Sequence, residues 1–72
     1  LYTFTGNGNW SNSANWLGGK KPPTRLPSCS HIFINPASGE CILTGQQTIL
    51  QGARITVGQN KRLRVPGNLT IQ

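Results

Sequence analysis

Seventy-two residues allow a single domain, and a chain of this size buries only about 60% of the surface its unfolded form exposes. Seven Lys and Arg face one acid, Glu40, for a net charge of +6, and only 35% of the residues are hydrophobic among nine glycines and five prolines. A lone carboxylate excludes two-carboxylate glycoside hydrolysis, and no apolar run approaches the roughly 20 residues of a membrane helix, so membrane insertion is not expected.

The chain starts directly at a strand-like segment, as a mature or excised domain would. Leu1 to Thr5 alternates, with Leu1, Thr3 and Thr5 on one face and Tyr2 and Phe4 on the other. From Gly6 to Gly19 the residues are mostly Gly, Asn and Ser, which tolerate positive φ or make Asx turns. No helical period runs through this loop, although Ser11 to Trp16 fits one short turn. Trp10 and Trp16 read as anchors that hold this otherwise polar loop against the fold. Gly18 to Ser28 reads as an extended connection: Pro22, Pro23 and Pro27 exclude a helix or a central strand, and Lys20, Lys21 and Arg25 project into solvent.

Strand signal returns at His31 to Asn35, with Ile32 and Ile34 on one face and His31, Phe33 and Asn35 on the other. Pro36 to Gly39 is a turn, and Glu40 to Thr44 is a second strand presenting Cys41 and Leu43 on one side. Gly45-Gln46-Gln47 turns the chain into Thr48-Ile49-Leu50, and Gln51-Gly52 leads onward. The last third, Ala53 to Gln72, holds three alternating segments: Ile55/Val57, Leu63/Val65 and Leu69/Ile71. Gly58 follows the first, and Pro66-Gly67 separates the second from the third. Short strands with one apolar face, turned by single glycines and a Pro-Gly rather than by Asn-Gly hairpins, predict an all-β fold: a short parallel β-helix or β-solenoid. A small antiparallel β-sandwich or barrel is the alternative. One domain spans residues 1–72, with 1–28 as an opening strand plus a Trp- and Pro-rich capping loop and 29–72 as short-strand rungs. The residues expected inward are Ile32, Ile34, Leu43, Ile49, Ile55, Val57, Leu63, Val65, Leu69 and Ile71, with Arg62 and Arg64 outward.

The run T-F-T-G-N-G-N-W-S-N-S-A-N-W-L-G-G-K-K-P-P, Thr3 to Pro23, followed by H-I-F-I-N at His31 and by G-x-L-T-I-type rungs, carries a family likeness. It resembles the N-terminal capping segment of bacterial secreted or cell-surface right-handed parallel β-helix proteins of the adhesin-like kind. The resemblance implies a structural or capping module with no active site to carry over, in a secreted or cell-surface setting. Two features depart from that pattern: Ser30-His31 stands where the family has an acidic residue before the strand, and the basic set Arg54, Arg62 and Arg64 has no counterpart.

Two aromatic faces among asparagines could make Trp10 and Trp16 a sugar-stacking platform, whereas packing over the open end of the first rung would bury both. Cys29 and Cys41 are either a disulfide closing a loop of about a dozen residues, worth about 3 kcal/mol, or two free thiols serving as small apolar residues. His31 with Cys29 and Cys41 gives too few ligands at an awkward spacing for a metal, and no acid orients Cys29 and His31 as a nucleophilic pair. No cofactor is implied, and the chain is not expected to be an enzyme. Arg54, Arg62 and Arg64, joined by Lys61, form the one concentration of charge, read as outward solubilising residues or as an anion-binding stripe. Without interleaved aromatics that stripe does not suit nucleic acid. The function expected is that of a non-catalytic structural module that self-associates through β-edges and apolar faces, with the chain as its own partner, a trimer ranked narrowly above a dimer. The rival is a carbohydrate- or polyanion-binding module, with polysaccharide as partner, using Trp10/Trp16 or the arginine face.

Overall fold

A computed structural model describes all of residues 1–72. Nine short strands form three parallel three-stranded sheets. Their spans are β1 (Tyr2–Phe4), β2 (Gly8–Asn9), β3 (Arg25–Leu26), β4 (His31–Ile34), β5 (Cys41–Ile42), β6 (Gln46–Ile49), β7 (Arg54–Val57), β8 (Leu63–Arg64) and β9 (Asn68–Ile71). Sheet A is ordered β1-β4-β7, sheet B β2-β5-β8 and sheet C β3-β6-β9. The chain therefore visits A, B and C in turn and repeats that circuit three times. All six strand pairings are parallel, so the antiparallel sandwich or barrel is not what the sequence adopts.

Register explains why the alternation works. Ile32 aligns with Ile55 and Ile34 with Val57 in sheet A, Cys41 with Leu63 in B, and Leu26 with Ile49 and Ile71 in C. Parallel partners share a face, so each inward residue lies beside its counterpart one circuit away. The buried core is Phe4, Trp10, Trp16, Leu26, Ile32, Ile34, Cys41, Leu43 and Ile49, with Tyr2, Ala53, Ile55, Leu63 and Leu69 packed against it. Corners must be narrow for circuits to stack. Gly67 donates to the Leu43 carbonyl at 3.0 Å, and a Cβ at this glycine would run into the Gly45 and Thr44 backbone.

Several expectations need correction. The Gly6–Gly19 loop contains β2, and the extended connection contains β3, whose Leu26 is fully buried. Residues 1–28 thus supply the first strand of every sheet, not one strand alone, in addition to the Trp loop. Between β2 and β3, Trp10–Thr24 replaces the three-residue corners that join β5 to β6 and β8 to β9. The short turn expected at Ser11–Trp16 is a 3-10 turn at Ser13–Asn15, with the Asn12 side chain accepting from the Ala14 N–H, and a second follows at Leu17–Gly19. Gln46 and Gln47 belong to β6 rather than to a turn. Gln47 points inward and is buried because its amide has partners: Nε2 donates to the Pro23 carbonyl at 2.8 Å and to the Thr48 carbonyl at 3.2 Å.

Burial on the third circuit also departs from expectation. Ile55, Leu63 and Leu69 are half-buried, but Val57, Val65 and Ile71 are 42%, 38% and 64% exposed. Val57 and Ile71 are in register with buried Ile34 and Ile49, and Val65 directly follows β8, yet β7, β8 and β9 are each the last strand of their sheet, so no further strand covers these residues.

Candidate functional site

The two ends of the stack differ. At the β1 end the Trp loop folds back, making an antiparallel bridge between Phe4 and Trp16 and bringing the Asn15 carbonyl to the N–H groups of Thr5 (2.8 Å) and Gly6 (3.0 Å). The Trp16 ring meets Phe4 edge-on at 5.3 Å and Trp10 edge-on at 5.1 Å, and its Nε1 donates to the Trp10 carbonyl at 2.7 Å. With Trp10 only 4% and Trp16 only 2% exposed, neither indole offers a face for sugar stacking. Beside Trp10 lies a cavity of about 100 Å³ whose rim includes Ser11, Lys21, Gln46 and Gln47, with the Lys21 ammonium donating to the Ser11 carbonyl at 3.3 Å. At the other end, three unpaired strand edges surround Val57, Val65 and Ile71.

The basic residues do not share a face. Arg54 lies on β7 in sheet A, whereas Arg62 and Arg64 lie at β8 in sheet B, because the corner from Gly58 to Arg62 turns the chain between them. Glu40 joins the sheet B pair, 3.3 Å from the Arg64 guanidinium and 4.0 Å from that of Arg62. Both arginines are largely exposed, so these contacts contribute about 0–1 kcal/mol each. Lys61 is exposed at the corner. Arg54 lies opposite His31 in register, and the His31 Nε2 is 2.9 Å from the Thr56 hydroxyl. Burial, then the charge of Arg54, then that of the Leu1 amino group hold the imidazole below its usual range.

The two cysteines are free and differently placed. Cys41 points into the core from β5, where burial pushes its thiol up to about 12. Cys29 sits exposed at the corner before β4 with a positive φ of 69°, so it does not act as a buried apolar residue, and the disulfide is not formed. Cys29, Ser30, His31, Gly52 and Arg54 line an open cleft of about 310 Å³. No three of the His, Cys, Asp and Glu side chains come together as metal ligands would. Sequence reasoning missed this cleft because Arg54 follows His31 by more than twenty residues and only the parallel register brings them side by side. It missed Gln47 because Gly-Gln-Gln carries the composition of a turn. No protein-family model, curated protein or solved structure matches the chain.

Proposed function

We propose that the three circuits are the coils of a short parallel β-helix, and that the protein is a non-catalytic structural module which assembles through its β7–β8–β9 end. One observation carries the reading: the Trp loop covers the β1 end, while the opposite end leaves three strand edges unpaired around Val57, Val65 and Ile71. Such edges are templates for further strands, and apolar surface inside them adds a hydrophobic drive to pairing. A second copy supplies a matching end without any other component. Two end faces close on each other, whereas three chains around an axis would leave every end uncovered, so this geometry favours the dimer over the trimer. The likeness of Thr3–Pro23 to secreted β-helix caps supports a bacterial secreted or cell-surface setting.

Sedimentation equilibrium tests the reading over micromolar to millimolar protein at low and high salt. The expected result is a monomer–dimer equilibrium that tightens with salt, because exposed Arg54, Lys61, Arg62 and Arg64 all belong to the last circuit and repel those of a second copy. Ile71→Lys, at a position already exposed, should abolish association without unfolding the monomer. A 7.8 kDa monomer under every condition would overturn the assignment.

A further inference from the structure

We propose that the cleft at the corner of β3 and β4, together with the outer face of sheet A, binds an acidic polysaccharide, seating a carboxylate or sulfate of one sugar between Arg54 and His31. This does not rest on end-to-end assembly, because the face concerned is lateral.

The cleft brings together a guanidinium, an imidazole and the Ser30 hydroxyl, in about 310 Å³ of space open to solvent. Its charges are unbalanced. The groups facing His31 are Arg54 on β7, the amino group of Leu1 before β1, the Thr56 hydroxyl and the Cys29 thiol of the same cleft. None is a carboxylate. Glu40, the only acid in the chain, lies with Arg62 and Arg64 on sheet B. An oxyanion is the complement that this cleft lacks, and Arg supplies paired donors for it. Burial first, and then the charges of Arg54 and the Leu1 amino group, depress the imidazole, and no neighbouring carboxylate offsets them.

The neighbouring surface determines what carries the oxyanion. Ile32 and Ile34 point inward, so Phe33 points outward, half-buried at the centre of sheet A. Register sets Thr3 on one side of Phe33 and Thr56 on the other, with His31 two residues before it and Asn35 two residues after. An aromatic ring flanked by hydroxyls and an amide on a flat sheet suits the apolar face and the hydroxyls of a sugar ring. Arg54, paired with His31, stands diagonal to Phe33 on the same face of the sheet, so one sugar chain can span both. A free inorganic anion would use only the cleft; a polysaccharide uses both.

The single histidine makes the test clean. The His31 ring protons would be followed by NMR from pH 4 to 8, alone and with four probes: a uronate hexasaccharide, a sulfated hexasaccharide, a neutral hexasaccharide and inorganic sulfate. An acidic hexasaccharide should raise the His31 midpoint and bind more tightly as pH falls through it. The neutral sugar should leave the midpoint unchanged, and inorganic sulfate should bind more weakly than the sugars. Arg54→Gln should weaken acidic-sugar binding about tenfold or more, the usual effect of losing a charge-assisted hydrogen bond, and Arg54→Lys should recover part of it. Phe33→Ala should weaken the sugars and leave sulfate unaffected. An unchanged His31 titration at millimolar acidic sugar would overturn the proposal. So would equal losses in Arg54→Gln and in an Arg62→Gln/Arg64→Gln control, which would mean attraction to net charge alone. Equal affinity for sulfate and hexasaccharide would refute the sheet A platform and with it the polysaccharide.

Discussion

Replacing Trp16 with alanine removes the residue on which the closed end converges. Three losses combine: two edge-on ring contacts, with Phe4 at 5.3 Å and Trp10 at 5.1 Å, and the hydrogen bond from Nε1 to the Trp10 carbonyl. Edge-on aromatic pairs contribute about 0.5–1.5 kcal/mol each beyond area burial, and a buried carbonyl left without its donor costs about 1–3 kcal/mol. These overlap with the cavity term, so the whole change falls at about 3–5 kcal/mol, the usual range for a buried aromatic truncated to alanine. A domain of 72 residues has about 4–11 kcal/mol of total stability, so Trp16→Ala should remove about a quarter of it or more. Urea unfolding followed by far-UV circular dichroism measures this. Trp16→Phe, which keeps a ring and deletes the N–H, should fall between the two proteins. A loss below about 1 kcal/mol in Trp16→Ala would refute the anchoring argument and return the indoles to a role at the surface.

Further outcomes follow from the corners, the buried amide and the titratable groups. Gln47→Ala strips the Pro23 and Thr48 carbonyls of a buried donor and should cost about 2–3 kcal/mol; a neutral effect in urea unfolding would mean that the amide has no tethering role. Gly67→Val drives a side chain into the Gly45 and Thr44 backbone and should destabilise by about 1–3 kcal/mol or more, so an unchanged urea midpoint would refute the close stacking of corners. For the thiols, a disulfide reagent at pH 8 should titrate Cys29 alone in the native protein and both cysteines in urea. Because Cys41 is raised from 9.0 to about 12, the folded state holds its proton more tightly, and stability should be complete below pH 9 and fall as pH rises from there toward 12. His31 has the opposite sign: its lowered pKa makes stability fall as pH drops below 6.5.

How legible these features were depended on strand length. The four-residue strands β4 and β7 announce themselves, since Ile32/Ile34 and Ile55/Val57 alternate with polar residues. Two residues carry no period. Gly8–Asn9 and Arg25–Leu26 are strands only because β5 and β6 lie beside them, so neither could be read locally. Gln47 exposes a different limit: a polar side chain takes an inward position when the fold brings carbonyls within its reach. The basic stripe was read as one face because three arginines fall on alternating segments, but a corner between those segments sends Arg54 to one sheet and Arg62 and Arg64 to another. The anchoring of Trp10 and Trp16 was legible because two indoles stand out in a loop made mostly of Gly, Asn and Ser.

Burial in this fold is decided by place in the stack more than by residue type. Leu26, Ile49 and Ile71 occupy one inward column of sheet C, yet the first two are fully buried and the third is 64% exposed. Buried apolar surface is therefore concentrated toward the Trp end, and exposed apolar surface toward β7, β8 and β9. The charges follow the same asymmetry, for four of the seven basic residues, Arg54, Lys61, Arg62 and Arg64, belong to the third circuit. An open β-edge with apolar neighbours would, left neutral, invite indefinite stacking. Two features of the chain oppose that. Like charge on the third circuit makes any approach of one such end to another salt-dependent, and the Trp loop bridges to Phe4 at the end that head-to-tail growth would need. In the assembly proposed above, one β7–β8–β9 end meets another, and that contact closes after two copies.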